Sequence, residues 1–159
     1  MKIAAITDIH NSSSNLARAI KSINSDKEIE VVINCGDIGS PKIINQLTDL
    51  DKKQYIVLST PDSRSIDLID ACCRSWIDYF CDYGEVKIDG KKIGFSHEKM
   101  AAGIAKNCDV FFYGHLHSYK VEMVDETLFV CCGEITGRNM QPCYAAYDSE
   151  SGKVEKVEF

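Results

Sequence analysis

The four histidines of this chain all stand in short polar stretches that follow apolar runs. His10 closes Thr7-Asp8-Ile9-His10, His97 follows Phe95-Ser96, and His115 and His117 lie in Tyr113-Gly114-His115-Leu116-His117. Asp8 sits two residues before His10, and Asp37 ends a further run at Cys35-Gly36-Asp37. Imidazole nitrogens and carboxylate oxygens gathered at one point are the usual ligands of zinc, manganese or iron. In a strand, residues i and i+2 point the same way, and just past a strand end that spacing can aim two imidazoles at one place. Gly114 is expected to allow backbone angles that a side chain resists. His-x-His pairs also occur in solvated loops, so the elements that carry these residues must decide between the readings.

Those elements can be read in order. Lys2 to Thr7 is a short apolar run, a buried strand. The serines of Ser12-Ser13-Ser14 suit the cap of a helix whose Leu16, Ala19, Ile20 and Ile23 share one face. Ile29 to Asn34 and Gln54 to Leu58 read as strands, with a helix between them opened by Pro41. The longest helical pattern runs from Ser65 to Phe80, with Trp76 in its core stripe. Asp89-Gly90 between two apolar runs predicts a tight hairpin of Glu85–Ile88 and Lys91–Phe95. A short helix is expected from Lys99 to Lys106, then a strand from Asp109 to Tyr113. Beyond Tyr119 only strands are expected, at Val121–Val124, Thr127–Cys132, Cys143–Asp148 and Val154–Phe159. Helices would cover the outer faces of two stacked sheets. In such folds, sites form beyond the carboxyl ends of strands, where every histidine here falls.

The bulk numbers narrow the function. A chain of 159 residues, 45% hydrophobic and 26% charged, is expected to form one soluble domain over 1–159. It contains no apolar run long enough to span a membrane and no secretory pattern at its start, which predicts a cytoplasmic protein. A net charge of -6 argues against general nucleic-acid binding. It leaves phosphate substrates open, because bound cations invert the local charge. Eight cysteines without a C-x-x-C pair, several inside apolar runs, read as reduced core thiols.

Taken in order, ITDIH, NCGDIG, VLSTPDSR, GFSHE, YGHLHS and FVCCGEITGRN resemble the calcineurin-like metallophosphoesterases over essentially the whole chain. The likeness is to their small single-domain phosphodiesterase branch, related in fold to the retromer subunit vacuolar sorting protein 29. It implies an α/β fold, a four-layer α/β/β/α sandwich of two stacked mixed sheets flanked by helices. It implies two divalent metal ions, manganese, nickel, iron or zinc. Asp8, His10 and His117 would match the ligands of one metal, Asp37 a bridge, and His97, His115 and Thr60 the ligands of the second. A hydroxide held between the metals would attack the phosphorus of a small phosphodiester or nucleotide. His10, Asp37 and Asp62 would stand in the catalytic positions, and Asn11, Thr60, Arg64 and Arg138 beside the substrate.

The chain departs from the family pattern at several points. Ser59-Thr60-Pro61-Asp62 replaces Gly-Asn-x-Asp, and a threonine hydroxyl is a weaker ligand with shorter reach than an asparagine amide. The second metal site would be weakened accordingly. Pro61 stands where some relatives carry a histidine that protonates the leaving group, which favours diesters with good leaving groups or slow turnover. Asn11 and Glu98 replace glycines; Glu98 is either solvated, a further ligand, or a repulsive charge toward anionic substrates. Asp62 is expected to fix its loop by hydrogen bonding. Arg64 and Arg138 either pair with phosphate or lie solvated. Two other functions fit the fold: an interaction module that has lost activity, and a phosphomonoesterase. Oligomeric state is open, with self-association among the possibilities.

Overall fold

The computed structural model describes residues 1–75, 77–100, 105 and 107–159. In chain order the elements are β1 (Lys2–Ile6), α1 (Ser13–Ser25), β2 (Ile29–Asn34), α2 (Pro41–Leu47), β3 (Lys53–Leu58), α3 (Thr60–Ser63), α4 (Ile66–Arg74) and β4 (Asp78–Cys81). The second half continues with β5 (Tyr83–Ile88), β6 (Lys91–Ser96), β7 (Val110–Tyr113), β8 (Tyr119–Val124), β9 (Thr127–Cys132), β10 (Cys143–Asp148) and β11 (Val154–Glu158). The strands form two mixed sheets, ordered β11-β10-β1-β2-β3-β4 and β5-β6-β7-β9-β8. β1 to β4 run parallel, with β10 and β11 antiparallel on the side of β1. In the second sheet β6, β7 and β9 are parallel, and β5 and β8 are antiparallel edges.

The continuous apolar runs of β1 to β3 follow from burial on both faces. Ala4 and Ile6 point to the helix layer, where they meet Leu16, Ile20 and Ile44. Ile3 and Ala5 point the other way, into the space between the sheets, beside Phe95, Phe112 and Val130. β1 is thus pinned between two cores, and the loop after it has little freedom. A third cluster, Phe111, Tyr113, Phe129 and Cys131 with Ala105, lies on the outer face of the second sheet. There the sequence predicts the helix from Lys99 to Lys106. Lys99 and Met100 are loop, and the rest of that stretch falls mostly outside the described residues.

Three local expectations need correction. The helical pattern from Ser65 to Phe80 is divided: α4 stops at Arg74, Ser75 takes the C-cap, and Asp78–Cys81 pairs with β3 as β4. Tyr79 packs on the helix side and Phe80 between the sheets, the two-sided burial of a strand. Trp76 lies outside the described residues. Thr60–Ser63, read as loop, is a single helical turn. Ser12 occupies the N-cap of α1 without a side-chain capping bond, while Ser13 Oγ donates to Gln46 Oε1 at 2.7 Å and ties α1 to α2.

The hairpin is built as expected, with Asp89 at φ 50° and Gly90 at φ 76°, the left-handed pair of a primed turn. All eight cysteines are free; six are buried, and Cys73 and Cys81 are exposed. Among the described residues no helix is long and apolar enough to cross a membrane.

Candidate active site

The carboxyl ends of β1, β2, β3, β6, β7 and β9 meet at one rim. Backbone bonds lock their loops together: Asp8 N donates to Gly36 O at 3.1 Å, Gly114 N to His97 O at 2.9 Å, and Thr136 N to Asp8 O at 3.0 Å. The loops are tight. Of the ten non-glycine residues with positive φ among the described residues, six stand here: Asp8, His10, Asn11, Asp37, His115 and His117. Asp, Asn and His adopt this region more readily than most side chains, but it still costs energy that the surrounding packing must sustain.

Gly114 is needed here for space, which corrects the expectation of unusual angles, since it is not among the positive-φ glycines. A Cβ at Gly114 would stand 1.9 Å from Thr7 Oγ1 and 2.7 Å from Asp8 Oδ2. The glycine therefore lets the end of β7, in one sheet, touch the end of β1, in the other.

That contact organises Asp8, which is fully buried. Its Oδ2 accepts from Thr7 Oγ1 at 2.8 Å and from His115 N at 3.0 Å. Its Oδ1 is buried with no hydrogen-bond partner. That oxygen lies 3.3 Å from His117 Nε2 and 3.6 Å from His10 Nε2, and the two imidazole nitrogens are 3.2 Å apart. Asp37 Oδ2 lies 3.4 Å from His10 Nε2 and 3.3 Å from His97 Nε2. Ligand atoms of Asp8, His10 and His117 fall within 4.8 Å of one another, as do those of Asp8, Asp37 and His97.

The far sides of two rings set what they present. His97 Nδ1 bonds Cys35 O at 2.8 Å, and since a carbonyl only accepts, Nδ1 carries the proton. His117 Nδ1 bonds Glu134 Oε2, again an acceptor. Both Nε2 atoms therefore turn lone pairs inward, toward carboxylate oxygens. Acceptors facing acceptors in a partly desolvated rim require a positive charge between them. Burial works to raise the Asp37 carboxyl, but the imidazoles of His97 and His10 outweigh it and hold Asp37 well below the usual carboxylate range. Burial works to lower His97, yet the Asp37 carboxylate and the Cys35 carbonyl raise it above the ordinary histidine value. Protons are drawn to the place that a divalent cation would fill, so the residues fit a metal.

Glu134 is a residue the sequence reading missed. It is fully buried at the end of β9, where it accepts from His117 Nδ1 through Oε2 and from Asn139 N (2.6 Å) and Met140 N (2.8 Å) through Oε1. Burial works to raise its carboxyl, and the bonds from His117 and the two amides more than offset this, leaving it lowered. Its signal in the sequence is a lone acid just after the apolar run Leu128–Cys132, inside FVCCGEITGRN.

The remaining candidates lie farther out. Asp62, buried, accepts from Ile38 N through Oδ2 at 2.9 Å and from Gly39 N through Oδ1 at 3.2 Å, so its carboxylate holds the loop that carries Asp37. His115 is exposed and stands edge-on to His97, ring centroids 5.2 Å apart, outside both close ligand groups. Thr60 is exposed at the start of α3, beside a cavity of about 240 Å³ that His97, Ser59, Ser96 and Glu98 also line. Asn11 Oδ1 accepts from Ser40 Oγ at 2.5 Å. Arg64 and Arg138 are exposed at the rim loops, and among the described residues neither forms an ion pair with a carboxylate.

Known proteins resemble this chain in sequence and fold. Residues 1–152 match the model of the calcineurin-like phosphoesterase superfamily domain. Phosphodiesterase MJ0936 of Methanocaldococcus jannaschii is 30% identical, over 99% of this chain and 98% of its own. The solved structure of an archaeal phosphodiesterase superposes over the whole of both chains with a TM-score of 0.88 at 25% identity. Zinc-bound Vps29 from Entamoeba histolytica superposes over 99% of each chain with a TM-score of 0.68; at 18% identity that likeness is one of fold. The chain belongs to the calcineurin-like phosphoesterase superfamily and is a phosphoesterase.

Proposed function

We propose that this chain hydrolyses a small phosphodiester or nucleotide at a site that holds two divalent metals. The observation that carries the reading is Asp8 Oδ1: a buried carboxylate oxygen without a hydrogen-bond partner, facing the inward nitrogens of His10 and His117. Asp8, His10 and His117 would hold one cation. Asp37, whose Oδ2 faces His10 on one side and His97 on the other, would be shared with a second. His97 would hold that second cation, with His115 and Thr60 nearest to complete it. Imidazole and carboxylate ligands suit manganese, iron, nickel or zinc, and metal supply rather than the ligand set decides among them. When bound, such a pair supplies an activated water at neutral pH and offsets the charge that develops on the phosphoryl oxygens.

The chain's own residues do the positioning. Glu134 and Cys35 O fix the tautomers of His117 and His97, so that each offers Nε2. Thr7 and His115 N hold one oxygen of Asp8 and leave the other free for the site. Asp62 holds the Asp37 loop from behind. Arg64 and Arg138, exposed without carboxylate partners among the described residues, are cationic groups available to a phosphate entering from solvent. The name of the relative MJ0936 supports a diester over a monoester.

The test is metal analysis of the purified protein, paired with hydrolysis of an activated aryl phosphodiester in added manganese or nickel, with the aryl monoester alongside. Turnover of the diester above the monoester, lost in Asp8→Asn, is expected. No diester turnover with any metal in fully loaded protein would refute the proposal, and faster monoester turnover would replace it with a phosphomonoesterase.

A further inference from the structure

We propose that β8 is a self-complementary edge through which two copies of this chain pair, joining their five-stranded sheets into one. β8 ends the second sheet and, among the described residues, has β9 as its only strand partner. Gly133 N donates to Ser118 O at 3.1 Å, which makes Ser118 and Gly133 a hydrogen-bonded pair of the antiparallel ladder. Such pairs alternate, so Lys120 opposite Cys131 and Glu122 opposite Phe129 are also hydrogen-bonded pairs. The backbone groups of Tyr119, Val121 and Met123 therefore point away from β9, along the free edge.

The side chains of those three residues share one face. Tyr119 packs against the core between the sheets, whereas Val121 is 40% and Met123 63% exposed, two of only four large apolar side chains so exposed among the described residues. Native edges are commonly guarded by lysine, proline or a bulge. β8 carries one lysine, Lys120, and its partner Glu122 stands two residues on.

Symmetry then selects a register. In an antiparallel pairing of two β8 strands, the outward groups of Tyr119, Val121 and Met123 must meet their own kind, so the two-fold axis passes through a residue. An axis at Lys120 sets lysine against lysine, and an axis at Glu122 sets glutamate against glutamate; like charges directly opposite are destabilising. An axis at Val121 sets Lys120 against Glu122 on both sides. It also places Met123 against Tyr119 and Val121 against its own copy, covering the exposed apolar groups. Charge and apolar pattern agree on this register, which argues for a second copy as the occupant. Such a closed two-fold contact has the self-complementary form of common homodimers.

Sedimentation equilibrium on four samples tests this: wild type, Lys120→Glu, Glu122→Lys, and an equimolar mixture of the two variants. The wild type is expected to sediment as a dimer. Each variant, with two like charges on the strand, is expected to show half that mass. In the mixture one strand carries two carboxylates and the other two ammonium groups, so the dimer mass is expected to return. Circular dichroism of each variant confirms folding. Monomeric wild type at every concentration, variants that remain dimeric, or a mixture of folded variants that stays monomeric would each overturn the proposal.

Discussion

Glu134→Gln separates positioning from bulk stability at this site. The side chain keeps its size, and its oxygen can still accept from Asn139 N and Met140 N, at 2.6 and 2.8 Å in the wild type. The opposite orientation would set an NH2 group against both amides, so the amide oxygen stays with the loop. The NH2 then faces His117 Nδ1 in place of a carboxylate oxygen. A donor there forces the His117 proton onto Nε2, 3.3 Å from Asp8 Oδ1, and removes the lone pair that would bind metal. Loss of a carboxylate behind a histidine ligand costs about 10–100-fold in metal affinity, or about 1.4–2.8 kcal/mol. Competition against a fluorescent chelator gives the manganese Kd, with circular dichroism and Tm as folding controls. Activity is expected to recover toward wild type as manganese is raised, because Glu134 acts through His117 rather than on substrate. An unchanged Kd in folded Glu134→Gln would refute the assigned role of Glu134.

Three further outcomes are expected. Gly114→Ala places a Cβ 1.9 Å from Thr7 Oγ1, so it should destabilise the fold by about 1–3 kcal/mol, the usual cost of overpacking; chemical denaturation reads this, and equal midpoints would contradict the close approach of β7 to β1. Divalent metal at about a hundredfold over its Kd should stabilise the wild type by about 2.7 kcal/mol, a Tm rise of roughly 5–10 °C for a chain of this size. Asp8→Asn should lose most of that rise, and a full rise in the variant would place the metal elsewhere. Thr60→Asn should raise metal stoichiometry and diester turnover, and equal stoichiometry in both proteins would show that Thr60 is no defect.

Much of this protein is decided locally, and those parts can be read from the sequence. The two-faced burial of β1, β2 and β3 writes continuous apolar runs, Asp89-Gly90 dictates its turn by backbone sterics, and the face Leu16, Ala19, Ile20 and Ile23 specifies α1. The loops that bear Asp8, His10, Asp37, His97, His115 and His117 follow the ends of β1, β2, β6 and β7. Other features exist only because distant segments meet. The residues after Ser75 fit a helix as well as a strand by spacing, and only the free edge of β3 makes Asp78–Cys81 a strand. Gly114 matters through the space it leaves to Thr7, from the other sheet. Glu134 looks like any surface acid until the fold buries it and sets His117 Nδ1 and two amides on its oxygens. Residue types and spacing name the groups that could bind metal. Which nitrogen each ring presents, and which oxygen of Asp8 lacks a hydrogen-bond partner, depends on partners far away in the chain, because a hydrogen bond constrains atoms in space whatever their separation in sequence.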